Sequence, residues 1–371
     1  MKAVPYVDLA AQAAPLREEL LAAADRVFTH GKYILGPEVE ELEARLADRL
    51  GVRHVVGVNS GTDALLLGLR LAGIGPGDEV VTVSHSFFAT ATAVRLLGAR
   101  PVFVDIDPET MLLDPALLAA AVTPRTRAVM PVHLNGHPCA LDEIAAFCER
   151  RGLALVEDCA QSLGARFSGR ATGAWGIGCF SLHPLKVLSA CGDAGFVAVA
   201  SEEAAARLRR LRNIGLRDRD HCVEVSGNSR LDTLQAALLL VKLAHLDDYV
   251  AARRAHVAAY RSGLAGQVRL PPAEDARHEA IWSAFVVRHP QRDRLRDALA
   301  AAGIETKIHY PVPIHRQEAF ADLAPFPPLP VTEHTVATML SLPVTPELAV
   351  ADRGRVISAV QEAVAAMGSA A

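Results

Sequence analysis

Between residues 54 and 200 the sequence alternates between two hydrophobic periods, and that alternation restricts the fold more than any other feature. Short β-branched runs read as strands: "HVVGV" (54–58), "EVVTV" (79–83), "PVFVDI" (101–106), "AVMPVH" (128–133), "LALVED" (153–158), "GCFSL" (178–182) and "GFVAVA" (195–200). Helical patterns separate several of them: "TDALLLGLRLAG" (62–73), "FFATATAVRLLG" (87–98) and "LDEIAAFCERRG" (141–152). Runs that are apolar at nearly every position suit strands buried on both faces, which predicts an α/β unit with a mostly parallel sheet flanked by helices. Each helix ends at a glycine suited to a left-handed cap: Gly73, Gly98 and Gly152.

The flanks extend this unit. Two helices precede it; the second, "GPEVEELEARLADRLG" (36–51), has Pro37 in its first turn, acids early and arginines late. Helices are expected at 202–213 and 231–254, the latter broken near 245–248. From about residue 255 the pattern becomes a smaller α+β unit. It has "IWSAFVVRH" (281–289) and "IETKIHY" (304–310) as strands, a helix at 292–302 and a last helix near 347–367. The expected division is 1–250, N-terminal helices plus the large domain, and 251–371, the small C-terminal domain. The proline-rich "YPVPIHRQEAFADLAPFPPLP" (310–330) reads as a long loop, of the kind that is functional or mobile.

Composition narrows the partners. A formal net charge of -4 over 371 residues gives no basis for binding nucleic acid or an anionic membrane. The longest apolar runs, such as "ALLLVKLA" (237–244), fall short of the roughly 18 residues of a membrane span. The start, "MKAVPYVDLAAQ", has no apolar signal core. Six cysteines (139, 148, 159, 179, 191 and 222) without a CxxC pair read as reduced thiols, several in the core. A cytoplasmic protein is expected.

Three strand ends carry groups that could act together, at the edge where open parallel sheets bind ligands. In "VNSGTDAL" (58–65) a strand runs through Ser60, Gly61 and Thr62 into a helix, offering N–H groups and hydroxyls to a phosphate; an ordinary helix cap has the same residues. Asp158 ends "LALVED", where a buried carboxylate needs a cation or several donors; a turn aspartate is the plainer alternative. Lysine is rare, only Lys2, Lys32, Lys186, Lys242 and Lys307 among 38 basic residues. Lys186 sits in "FSLHPLKVLSACGDAG" (180–195), where apolar surroundings would lower its pKa and free its amine to attack a carbonyl; the competing reading is a lysine reaching the surface. The other four lysines look ordinary. Phosphate cradle, amine and carboxylate together are what pyridoxal 5′-phosphate requires.

With "NSGTDAL" (59–65), "SHSFFAT" (84–90), "EDCAQSLGA" (157–165), "FSLHPLK" (180–186), "GNSRLDTLQAA" (227–237) and "IHYPVPIH" (308–315) in this order, the chain resembles the DegT/DnrJ/StrS family of sugar aminotransferases. The resemblance implies a fold-type I aminotransferase. Lys186 is then the Schiff-base lysine and proton shuttle, Asp158 the partner of the pyridine nitrogen, and Gln161 a neighbour of the ring's phenolic oxygen. Ser60, Gly61, Thr62 and Ser181 would hold the phosphate, Phe87 would stack on the ring, and Asn228 would reach the phosphate from the second subunit of a homodimer with shared sites. His309 and Tyr310 would contact substrate. The implied reaction moves an amino group from an amino acid, L-glutamate by default, to a keto-sugar. A nucleotide-linked 3-keto or 4-keto deoxyhexose is the expected acceptor; a keto-cyclitol or a keto-sugar phosphate is the alternative. A non-catalytic regulator on the same fold would lack a use for so complete a residue set.

Departures from the family pattern bear on the periphery. Asn135, in "HLNGHPC" (133–139), stands where an aromatic is common, so that loop is expected to face a different substrate; Val187 stands where a polar residue is frequent. Dehydratases on this fold carry histidine in place of Lys186. His133, His137 and Cys139 form an HxxxHxC pattern without a further ligand pair, so no metal is expected and loop polarity is the plainer account. Cys159 and Cys191 are expected to serve packing.

Overall fold

The computed structural model describes residues 3–368. At its centre lie seven strands: β1 (His54–Val58), β2 (Glu79–Val83), β3 (Arg100–Val104), β4 (Thr126–Val129), β5 (Ala154–Asp158), β6 (Ile177–Ser181) and β7 (Gly195–Val199), ordered β1-β7-β6-β5-β4-β2-β3. Only β7 runs against its neighbours, β1 and β6. The cause is local: residues 182–194 join β6 to β7 without a crossover helix, and a parallel return needs one. The carboxyl ends of the other strands therefore share one edge.

The strands read as apolar throughout because both faces are covered. On β2, Val80 joins the cluster containing Leu65 and Leu69, while Val81 and Val83 join Ile144 and Phe147 on the other face. The covering helices include α1 (Arg17–His30), α2 (Pro37–Leu50), α3 (Gly61–Leu71), α4 (Ala89–Leu96), α5 (Leu141–Arg151), α6 (Glu202–Leu211) and α7 (Thr233–Leu243). Gly73, Gly98 and Gly152 all take positive φ (81°, 73° and 63°) beyond helix ends, as expected. The break near 245–248 is real and separates α7 from α8 (Leu246–Leu264).

Leu246 and Val250 of α8 pack in the core of the large unit, whereas Val257, Tyr260 and Leu264 pack in a second core. That core is built on an antiparallel pair, β8 (Phe285–Arg288) and β9 (Met339–Leu342), with α9 (Arg292–Ala301) and α11 (Val350–Gly368). The expected strand at 304–310 is not one. Ile304 bridges to Val4 and Lys307 to Ser341, two different partners, so no continuous ladder forms. Residues 310–330 are not a structureless loop either: Ile314–Arg316 and Glu318–Leu323 form short 3-10 helices. Ile314, Phe320, Leu323 and Leu329 pack against Ala91 and Phe103, and α10 (Pro330–Thr338) follows directly. Ser84, just past β2, clips the segment: its carbonyl accepts the Ile314 N–H and its hydroxyl lies 2.7 Å from His315 Nδ1.

All six cysteines are free thiols; Cys139, Cys148, Cys159 and Cys179 are buried, Cys191 and Cys222 exposed. Packing thus accounts for Cys159 but not for Cys191. Among the described residues no helix is long and apolar enough to cross a membrane.

Candidate active site

A cleft of about 680 Å³ opens at the carboxyl edge of the sheet, and Ser60, Gly61, Thr62, Phe87, Asp158, Gln161, Ser181, Lys186, His309 and Tyr310 all line it. Of the residues to which the family resemblance gives a cofactor or substrate role, Asn228 alone does not line it: it is exposed and bridged to Asn213.

One end of the cleft is the start of α3. Ser60 caps the helix by accepting the Asp63 N–H (3.0 Å), and the Ala64 N–H goes to the Ser60 carbonyl (3.0 Å). The N–H groups of Gly61 and Thr62 are left without backbone partners, at the positive end of a helix dipole. Gly61 is needed for close approach, since a Cβ there would fall 2.5 Å from Ser181 Cβ on β6. A Cβ at Gly195 would likewise meet the Ser60 carbonyl oxygen at 2.5 Å. Small residues thus keep open a hollow lined by N–H and O–H groups, the chemistry a phosphate monoester needs.

Asp158 ends β5 and is buried. Its Oδ2 accepts from Thr90 Oγ1 (2.8 Å) and its Oδ1 from the Ala160 N–H (3.1 Å). With its proton committed to Asp158, Thr90 must accept from Ser86 Oγ, 2.7 Å away. Burial raises the Asp158 pKa, and the two hydrogen bonds and the Lys186 charge pull it back. Lys186, in the β6–β7 link, has its pKa lowered by burial, against the opposing charge of Asp158. The two groups therefore sense each other within one cleft.

Gln161 is held on three sides. Its Oε1 accepts from the Asn135 N–H (2.8 Å) and from Ser283 Oγ (3.4 Å), and its Nε2 donates to Tyr310 Oη (3.1 Å). The Tyr310 ring lies 5.4 Å from that of Phe87. His309 Nδ1 sits 3.0 Å from Ser341 Oγ, and burial, aided by the charges of Lys186 and Lys307, pushes its pKa down to about 4. Asn135 does not line the cleft, contrary to expectation. It is buried behind Gln161, with φ 60°, a left-handed conformation that asparagine tolerates well.

The HxxxHxC residues separate. His137 turns its ring edge-on to Trp282 (4.6 Å), and burial lowers its pKa to about 4. His133 instead meets Glu157 and Cys159, with their possible ligand atoms within 4.8 Å of one another. His133 Nδ1 accepts the Cys139 N–H (3.0 Å), so Nε2 carries the proton and donates to Glu157 Oε2 (3.1 Å). Glu157 also accepts the N–H groups of Gly173, Trp175 and Gly176. The polarity of this segment is thus a buried hydrogen-bond network directly behind Asp158, not a surface loop.

Residues 15–361 match the model of the DegT/DnrJ/EryC1/StrS aminotransferase family. The chain belongs to that family. It is 47% identical over 364 residues to the dTDP-3-amino-3,4,6-trideoxy-alpha-D-glucose transaminase of Streptomyces venezuelae, covering 97% of this chain and 96% of that one. It is 44% identical to the UDP-N-acetyl-3-dehydro-alpha-D-glucosamine 3-aminotransferase of Acidithiobacillus ferrooxidans, covering 93% and 94%. The crystal structure of S. venezuelae DesV with a ketimine intermediate superposes with a TM-score of 0.95 at 46% identity, covering 98% of this chain and 99% of that one. DegT/DnrJ/EryC1/StrS enzymes are aminotransferases that work with pyridoxal 5′-phosphate, and this chain is one of them. The cradle, the buried carboxylate and the partly buried amine fit that cofactor.

Several cleft residues had no signal in the sequence. Thr90 lies within "SHSFFAT", but its bond to Asp158 depends on where α4 begins. Tyr6, Arg253, Ser283, Glu305, Lys307 and Thr345 reach the cleft only through the packing of the two units.

Proposed function

We propose that this protein transfers an amino group from an amino acid, L-glutamate first among donors, to a nucleotide-linked keto-deoxyhexose. The observation that carries the reading is that Lys186 and Asp158 share one cleft with the Gly61–Thr62–Ser181 cradle. The transaminases it resembles are named for amination at the sugar's 3-position, which favours a 3-keto acceptor over a 4-keto one.

In this reading the N–H groups of Gly61 and Thr62, with the Ser60 and Ser181 hydroxyls, bind the cofactor phosphate. Phe87 covers the ring face, and Gln161 offers its second Nε2–H to the phenolic oxygen. When bound, the cofactor supplies a carbonyl that exchanges with amines and a ring that withdraws electrons. Asp158, whose anionic form is favoured by the hydrogen bonds from Thr90 and the Ala160 N–H, would hold the proton on the ring nitrogen. Lys186 Nζ takes the proton released from the donor's α-carbon and delivers one to the acceptor carbon in the return half. A depressed pKa suits an amine that must be unprotonated near neutrality. His309 is neutral at that pH and offers its Nε2 as a substrate contact beside Tyr310.

The proposal includes a homodimer in which Asn228 of one subunit completes the phosphate site of the other. It is supported by the exposure of Asn228 and by exposed apolar residues such as Phe28, Tyr33, Ile34 and Val225. Six unpaired thiols suit a cytoplasmic location. A domain division at 250/251 falls inside α8, where the packing changes from one core to the other.

The test is a set of 3-keto and 4-keto nucleotide sugars, keto-cyclitols and keto-sugar phosphates, offered to enzyme first converted to its amine-bearing form with L-glutamate. Return of the aldehyde-form absorbance with a 3-keto nucleotide sugar supports the reading. A response confined to cyclitols would replace it.

A further inference from the structure

We infer that Lys242, buried in α7, is a positioning residue that holds the β6–β7 link so that Lys186 faces Asp158; this rests on the reading of Lys186 as the reactive amine. Lys242 is 8% exposed. Its Nζ donates to the Ser189 carbonyl (2.8 Å) and to Ser189 Oγ (3.2 Å), and among the described residues no carboxylate pairs with it. A buried ammonium without a counter-charge is costly, and its helix is otherwise apolar there, with Leu239 and Leu243 in the core. A leucine or methionine would pack at that position without the penalty. What the cation gains is a grip on the residue three places after Lys186, from the C-terminal turn of a helix, where the dipole favours positive charge.

A second grip comes from the same face of α7, two turns earlier. Gln235 Oε1 accepts the Cys191 N–H (2.9 Å) and its Nε2 donates to the Cys191 carbonyl (3.2 Å). From the sheet side, the Ala190 N–H reaches the Leu182 carbonyl (2.7 Å), and the Lys186 N–H closes a turn onto His183 (2.8 Å). Residues 182–191 are thus fixed between the end of β6 and α7. The charge acting on Lys186 is that of Asp158, with His183 and His309 as the other titratable neighbours. Lys242 acts through the backbone of the link.

The test uses Lys242→Met and Gln235→Leu in the full-length holoenzyme. For each folded variant, kcat falls about 10-fold to 100-fold while both KM values change little, as expected for a misplaced reacting group. In the full chain freed of cofactor, acetylation by acetic anhydride across pH, mapped by mass spectrometry, shows the Lys186 pKa rising by about one unit toward the ordinary lysine value. A folded Lys242→Met enzyme with wild-type kcat overturns the proposal, as does a lowered kcat with unchanged Lys186 titration, which would mean a loss of stability alone. If Lys242→Met does not fold, Gln235→Leu decides by the same two readings. Borohydride trapping of the cofactor keeps the claims apart: trapping on another lysine removes the role of Lys186, whereas trapping on Lys186 with unaltered kcat removes only that of Lys242.

Discussion

The two walls of the cleft are built in different ways. One is made of strand ends and the segments that follow them: Ser60–Thr62 after β1, Thr90 after β2, Asp158 ending β5 and Gln161 after it, Ser181 ending β6 and Lys186 after it. Each of these residues is placed by its own short segment. The other wall collects Tyr6, Arg253, Ser283, Glu305, Lys307, His309 and Thr345 from distant parts of the chain, through the contact of the small unit with the large one. On the proposed reading the first wall does the same chemistry for any substrate, so its geometry must be fixed. The second has charged and polar groups, all but the α8 residue Arg253 on irregular backbone, which suits recognition of one acceptor among many.

This contrast can be broken by substitution. Lys186→Ala should cost both half-reactions about 10²-fold to 10⁴-fold, the span of a positioned acid–base group, with the fold intact by circular dichroism. Normal turnover in that variant would remove the division between walls altogether.

Acid should act on the second wall through His309 and on the framework through His85 and His137. His85 and His137 are buried and His309 is half-buried, and each has its pKa lowered to about 4, against 6.5 for an ordinary histidine. The folded protein holds them neutral, so the stability they contribute is complete above pH 6.5 and is lost as pH falls from there toward 4. At pH 5 each costs roughly 2 kcal/mol. Urea unfolding at pH 7 and pH 5 measures this, and His309→Gln should remove one share of the loss. An unchanged pH slope in that variant would show His309 to be solvated.

Thr90→Val removes one hydrogen bond to the Asp158 carboxylate, a charged-group bond whose loss lowers kcat about 10-fold for every acceptor tried. Lys307→Ala gives the smallest effect. Its side chain is half exposed and paired with Glu305 at 2.6 Å, so KM for the acceptor should change about threefold, with the donor half-reaction untouched. If Thr90→Val discriminated among acceptors and Lys307→Ala did not, the two walls would have to exchange roles.

The same contrast explains what the sequence could disclose. The sheet was legible because strands covered on both faces are apolar at nearly every position, and glycine-ended helices mark the returns. The reversal of β7 was not, since nothing in "GFVAVA" records direction; only the absence of a helix between 182 and 194 implies it. Asp158 and Lys186 stood out as costly residues at strand ends. Lys242 is equally costly but sits inside an apolar helix, where its burial and its partner Ser189 become visible only once α7 packs on the link. Asn135 was misread because its backbone N–H, not its side chain, serves the site. Arg253 gave no signal, because its place in the cleft depends on where α8 crosses between the cores. The 304–310 segment has the composition of a strand but two different neighbours, a matter of tertiary arrangement.

The central claim is that the amine of Lys186 is the group that holds the cofactor opposite Asp158. Reduction of the holoenzyme with borohydride, followed by proteolysis and mass spectrometry, tests it directly, and five lysines make the assignment unambiguous. The account predicts a single pyridoxyl group on Lys186. Finding that group on Lys307 or Lys242, or on no lysine at all, would contradict it.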